Sequence, residues 1–214
     1  MKTLFIQTSP MGTASTVLIN AIYGLIPELN DKKITGIWEK VHPNNVAPLG
    51  ITDWEDSFDN IMVVKSHCIN IDYLINKYKN KYKLYFICSE RKNINAFIDK
   101  KYKLYKNVII FSFDELNKTS TNTISKIINN IYNKLKSIFT NEFNIDLDIS
   151  SGIKRINDMN NKYQQIKTKP FSYIDPFYCI HGSHRNRKYD TTCKEIPLNI
   201  ASQNQTNTKK HKIS

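Results

Sequence analysis

The sequence predicts an α/β protein, a three-layer sandwich around a mostly parallel central sheet, and three observations predict it. Short β-type runs alternate with helical patterns along the chain, the signature of βαβ units. A length of 214 residues with 40% hydrophobic content is enough to bury one real core. Polar, chemistry-bearing residues follow the β-type runs directly, at the strand ends where open α/β sheets bind their ligands.

The first strand reads from Thr3 to Thr8. It breaks at Ser9-Pro10-Met11-Gly12 and runs through Thr13, Ala14, Ser15 and Thr16 into an apolar periodic segment, a helix near 14–26. A strand that turns straight into a Thr/Ser-rich helix start aims several backbone N–H groups and hydroxyls at one spot. Such a spot suits a phosphate, and Gly12 removes the side chain that would block close approach. Further strands are expected near 34–37, 60–65, 83–88 and 107–112. Between them helices are expected near 52–58, 69–79 and 90–103, and a long one near 120–140, where Ile124, Ile127, Ile128, Ile131 and Leu135 keep helical spacing. Another helical stretch runs from Gly152 to Lys169, and Pro170 to Pro176 reads as an irregular loop leading to the polar cluster His181-Gly182-Ser183-His184-Arg185-Asn186-Arg187. Residues 1–190 are expected to form one domain. Residues 191–214 read as a flexible, polar, basic tail ending Lys209-Lys210-His211-Lys212.

The formal net charge of +12 points toward an anionic partner, but 27 Lys stand against 4 Arg, beside 31 Ile and 25 Asn, the bias that AT-rich coding imposes. The lysine excess is therefore a weak signal, and nucleic acid is not the expected partner. The scarce arginines, Arg91, Arg155, Arg185 and Arg187, carry more information, because Arg is the residue suited to bidentate phosphate recognition. Cys68, Cys88, Cys179 and Cys193 form no C-x-x-C pair, as expected of a reduced, cytoplasmic protein. No apolar run is long enough to span a membrane, and the break at Ser9 to Gly12 argues against a signal peptide.

Four strand ends carry the candidate chemistry: Ser9–Thr16, Lys65-Ser66-His67, Ser89-Glu90-Arg91, and Ser112-Phe113-Asp114-Glu115. In this order they resemble the PAPS-dependent sulfotransferases, over residues 1–140. That family places a Walker-like loop P-K-S-G-T-[ST] after its first strand, and Ser9-Pro10-Met11-Gly12-Thr13-Ala14-Ser15 stands in its place here. The family's K-T-H strand end is similar to Lys65-Ser66-His67. Its serine and arginine for the 3′-phosphate correspond to Tyr85-Phe86-Ile87-Cys88-Ser89-Glu90-Arg91, and its Y-E-D-L to Ser112-Phe113-Asp114-Glu115-Leu116.

The resemblance implies a P-loop NTPase-like fold and 3′-phosphoadenosine 5′-phosphosulfate (PAPS) as co-substrate. It implies sulfuryl transfer to a hydroxyl, or an amine, of an acceptor such as a sugar, phenol or peptide. It assigns His67 as the base and Lys65 as the cation on the bridging oxygen or the sulfuryl group. Gly12, Thr13, Ala14, Ser15 and Thr16 would hold the 5′-phosphate, with Ser89, Arg91 or Arg185 on the 3′-phosphate. Two departures are plain: the family's loop lysine is replaced by Pro10, and alignment on Cys88 puts Ser89 where the family's arginine belongs, with Arg91 two residues further on. A catalytically silent nucleotide- or polyanion-binding protein on the same fold is the alternative. A kinase is disfavoured by the absence of G-x-x-x-x-G-K-[ST]. Cys179, His181, His184 and Cys193 lack a common zinc spacing, so no metal is expected. Trp38 and Trp54 read as core or rim aromatics, with stacking on adenine as the other reading.

Overall fold

The computed structural model describes residues 1–10, 13–37, 61–66, 70–170 and 173–182. Five strands, β1 (Thr3–Thr8), β2 (Thr35–Ile37), β3 (Ile61–Ser66), β4 (Lys83–Glu90) and β5 (Val108–Ser112), form a parallel sheet in the order β2-β3-β1-β4-β5. The helices are α1 (Ser15–Leu25), α2 (Ile71–Tyr78), the one-turn α3 (Phe113–Leu116), α4 (Ile124–Phe143) and α5 (Ile149–Ile166). Near the end of the described chain, β6 (Ile174–Asp175) and β7 (Ile180–His181) form a short antiparallel hairpin.

All six residues of β1 are buried, so helices must cover both faces of the sheet. The chain moves one way across the sheet from β1 to β2 and the other way from β3 to β4. Right-handed crossovers therefore set α1 and α2 on opposite faces. On the α1 face, Phe5 stacks on Tyr85 of the neighbouring strand and on Phe139 of α4, with ring centroids 4.8 and 4.6 Å apart. The fully buried Tyr23 of α1 donates its hydroxyl to the Val63 carbonyl at 2.7 Å and accepts the Thr35 amide at 3.2 Å, which locks α1 over β2 and β3.

α5 lies against α1, close enough that α1 needs glycine at the crossing. A Cβ on Gly24 would stand 2.8 Å from the Gly152 Cα and 3.1 Å from the Ser151 carbonyl oxygen. The Asp148 amide donates to the Leu25 carbonyl at 2.8 Å, and the Asp148 side chain caps α5 by accepting the Ser150 and Ser151 amides.

The helix expected near 90–103 is not there. In its place stand two 3-10 turns, Lys92–Ile94 and Lys100–Leu104. The Glu90 carboxylate takes the Ile98 amide at 2.9 Å, Arg91 pairs antiparallel with Ala96, and Asn95 sits left-handed at φ 52°. These contacts remove the backbone groups a helix would use. The loop expected at Pro170–Pro176 contains β6, and α5 begins at Ile149 rather than Gly152 because Asp148 supplies the cap. The helix expected near 52–58 and the tail 191–214 lie outside the described residues. Among the described residues no helix is long and apolar enough to cross a membrane.

Gly24→Ala is expected to destabilise the protein by about 1–3 kcal/mol despite the better helix propensity of alanine, because backbone rather than a flexible side chain blocks the new methyl; urea unfolding measures it. Hydrogen bonds from the Ser151 hydroxyl and the Ser150 and Ser151 amides hold the Asp148 carboxyl below its ordinary range. Its contribution is complete above the unfolded-state pKa and is lost as pH falls through the lower, folded-state value. Asp148→Ala should cost about 1 kcal/mol at neutral pH, and the difference from wild type should vanish in acid on the same urea curves.

Candidate functional site

β1 lies between β3 and β4 and its exit leads to α1, so its carboxyl end lies at the point where the strand order reverses. Gln7, Thr8, Ser9, Thr13 and Ser89 meet there, all fully buried. Ser9 Oγ accepts Gln7 Nε2 at 2.8 Å and the Ser89 amide at 2.9 Å. The Ser89 hydroxyl lies 2.9 Å from Ser9 Oγ and 2.9 Å from Thr13 Oγ1, and Thr13 Oγ1 donates to the Pro10 carbonyl at 2.7 Å. This chain of hydroxyls ties the β1 exit to the end of β4. Each buried group left without a partner would cost about 1–3 kcal/mol, so Ser9, Thr13 and Ser89 are held against one another. Gln7 Oε1, also buried, has no hydrogen-bond partner in the described structure.

Ala14 then takes a left-handed conformation, φ 62° and ψ 26°, and α1 starts without a side-chain cap. The first helical bond is Leu18 N–H to the Ala14 carbonyl, so the amides of Ser15, Thr16 and Val17 precede it at the positive end of the helix dipole. A non-glycine residue held left-handed at this point is local strain, of the kind that a close-fitting anion turn uses.

Lys65 of β3 stands opposite Gln7 in register, only 2% exposed. Its Nζ donates to Thr16 Oγ1 at 3.0 Å and to Cys179 Sγ at 3.7 Å. An ammonium has three protons, and among the described residues no carboxylate pairs with this one. A buried cation thus faces the positive end of α1, an arrangement that costs free energy until an anion sits between them.

The β6–β7 hairpin closes the other side. Asn20 of α1 donates Nδ2 to the Tyr178 carbonyl at 2.7 Å. The Arg155 guanidinium, 2% exposed, donates to the carbonyls of Phe177 (3.0 Å), Lys32 (3.1 Å) and Asn30, sandwiched among the rings of Tyr23, Phe177 and Tyr178. Burial pulls Arg155 down to about 10, still charged at neutral pH. At the base of the hairpin, a Cβ on Gly182 would stand 2.2 Å from the Pro170 carbonyl oxygen, so only glycine fits.

The structure brings Thr13, Ala14, Ser15, Thr16 and Lys65 together. Ser89 lies behind them, its hydroxyl engaged by Ser9 and Thr13. Arg91 stands apart, its guanidinium 3.9 Å above the Phe113 ring and its Nε donating to Asn93 Oδ1 at 2.7 Å. Ser112 and Glu115 form a capping box that starts α3, and Glu115 pairs with Lys134 at 2.7 Å, so this strand end serves the fold. Gly12, His67 and Arg185, with Trp38 and Trp54, lie outside the described residues. Among the described residues no cluster of His, Cys, Asp or Glu could hold a metal ion. Sequence reasoning missed Gln7, Asn20, Arg155 and Cys179 as parts of this site. Of these Arg155 carried a signal as one of four arginines, and Cys179 was weighed only as a zinc ligand. In comparisons with known proteins the chain matches no family model, no curated protein and no solved structure.

Lys65→Met should raise the stability of the ligand-free protein by about 1–4 kcal/mol, since it keeps the volume and removes a buried charge without a counter-ion. A lower urea midpoint in this variant would show instead that the ammonium holds the fold together.

Proposed function

We propose that the chain is a transferase of the PAPS-dependent sulfotransferase type, with the turn from Ser9 to Thr16 and Lys65 as the cradle for the phosphosulfate end of the donor. The observation that carries this reading is the Lys65 ammonium, buried at the first turn of α1 with no carboxylate partner among the described residues. Two positive features converge there, the ammonium and the uncapped amides of α1. A phosphate-like anion relieves both at once.

In this reading the amides of Ser15, Thr16 and Val17 hold the 5′-phosphate, and the remaining Lys65 proton faces the charge that develops on the bridging oxygen as the sulfuryl group leaves. His67 follows β3 by one residue after Ser66 and serves as the base that takes the acceptor's proton. The acceptor is a hydroxyl compound, or an amine, that attacks in line. Arg91, displayed on the Phe113 ring at the same edge of the sheet, is the cation offered to the 3′-phosphate, together with Arg185 from the segment that follows the hairpin.

A second reading has a specific observation in its favour. Pro10 stands where the family's loop lysine would be, and the Thr13 and Ser89 hydroxyls are engaged within the protein. Both leave fewer groups for the transferring sulfuryl and fit a protein that binds a nucleotide or a polyanion without reacting.

Thermal unfolding with 3′-phosphoadenosine 5′-phosphate, against 5′-AMP and ATP, tests the donor site. At a hundredfold excess over Kd the 3′-phosphorylated nucleotide should add about 2.7 kcal/mol, a rise in midpoint of about 5–10 °C. Lys65→Met should abolish that rise. No response to any of the three nucleotides rejects the donor site and leaves polyanion binding, recognisable by its steep salt dependence. Turnover of PAPS that survives His67→Ala removes the assigned base, and binding without turnover selects the silent reading.

A further inference from the structure

The Cys179 thiol, to which the transfer step gives no role, lies close to the Lys65 amine. Sγ lies 3.7 Å from Nζ, across 114 residues of sequence, and each residue is only 2% exposed. The pair is held from both sides. Cys179 occupies a left-handed position at φ 53° in the hairpin turn, while Asn20 grips the carbonyl of Tyr178 and Arg155 that of Phe177. The thiol is therefore fixed against the end of the flexible four-carbon stem of Lys65.

We propose that Lys65 and Cys179 form a peroxide-driven covalent switch, a sulfenamide bond between Sγ and Nζ that removes the ammonium from the anion site. In the first step the sulfur of Cys179 attacks one oxygen of hydrogen peroxide. The S–O bond forms, the O–O bond breaks, the thiol proton leaves on the other oxygen as water, and sulfur is oxidised by two electrons while peroxide is reduced. In the second step Nζ gives up a proton to solvent and its lone pair attacks Sγ. The S–N bond forms, the S–O bond breaks, and the sulfenic oxygen leaves as water. The net change is one thiol, one ammonium and one peroxide converted to one sulfenamide, two waters and one proton. A thiol such as dithiothreitol reverses it by attacking sulfur and releasing the amine.

Two consequences follow for the site. Lys65 loses its charge, and the hairpin becomes covalently joined to β3. The effect on nucleotide binding rests on the donor site proposed above, whereas formation of the bond does not. Cys88 is an internal control. It is fully buried, its nearest charged influence is the Glu90 carboxylate, and burial pushes its thiol up to about 12.

The test treats the full chain with hydrogen peroxide, removes the excess, digests the protein and maps it by mass spectrometry. The expected product joins the peptide bearing Lys65 to the peptide bearing Cys179, lighter than their sum by two hydrogen atoms and separated again by dithiothreitol. In parallel, the midpoint rise with 3′-phosphoadenosine 5′-phosphate should be lost on oxidation and return on reduction. In Lys65→Arg and in Cys179→Ser the joined peptide should be absent, and in Cys179→Ser peroxide should no longer change whatever nucleotide response the variant shows. Cys179 found unmodified, stopped at sulfinic acid, or in a disulfide with Cys68 or Cys193 overturns the bond. A joined peptide with an unchanged nucleotide response overturns the switch. A reduced protein that binds no nucleotide removes the donor site and the switch's output with it, while the masses still decide whether the bond forms.

Discussion

β1 has no free edge and no free face. It is hydrogen-bonded to β3 on one side and β4 on the other, and every one of its residues is buried. A strand so enclosed leaves the chain one outlet, its carboxyl end, where the crossovers on either side depart to opposite faces of the sheet. The backbone arriving there brings buried polar groups that need partners. Gln7, Ser9, Thr13 and Ser89 supply them to one another, so the polar network is the condition for ending a fully enclosed strand.

The same enclosure explains Lys65. Its register opposite Gln7 puts it on the α1 face of the sheet, where its stem lies in the core and its ammonium emerges under the first turn of α1. A surface lysine would find water there. This one finds the Thr16 hydroxyl, the Cys179 sulfur and the positive end of a helix, a set that lacks negative charge. The hairpin that brings Cys179 is short, and two residues per strand cannot hold it. Arg155 does so from outside, with donors on the hairpin and on the segment between α1 and β2. One guanidinium thereby joins three parts of the chain that meet nowhere else in sequence.

Much of this was legible in the sequence, and the exceptions have physical causes. The strands were readable because Leu4 to Ile6, Met62 to Val64 and Leu84 to Cys88 are apolar on both faces, which a parallel sheet covered by helices requires. In the stretch near 90–103, Ile94, Ile98 and Tyr102 are spaced four apart like a helical stripe, yet no helix forms. Ile94 is 48% exposed, and Glu90 and Asn95 direct the backbone elsewhere. β6 was unreadable because two residues are too few for an alternation. Ser9, Thr13 to Thr16 and Lys65 were readable as candidates for a site from their positions after strands, but nothing in their neighbourhood disclosed that Ser89 turns inward while Arg91, two residues on, lies on Phe113.

By itself the sequence determined the fold class, the succession of strands and helices, and the helix start that follows β1. Those depend on hydrophobic periodicity and on turn residues such as Ser9 to Gly12, which act within a few residues. Only the tertiary structure decided that Lys65 is buried with no carboxylate beside it among the described residues, that Cys179 touches it, and that Arg155 anchors the hairpin to α5. Each of these is set by the packing of segments more than a hundred residues apart in at least one contact, such as Lys65 with Cys179 and Arg155 with Asn30. Burial and charge balance are properties of what surrounds a side chain, and no local pattern encodes the surroundings.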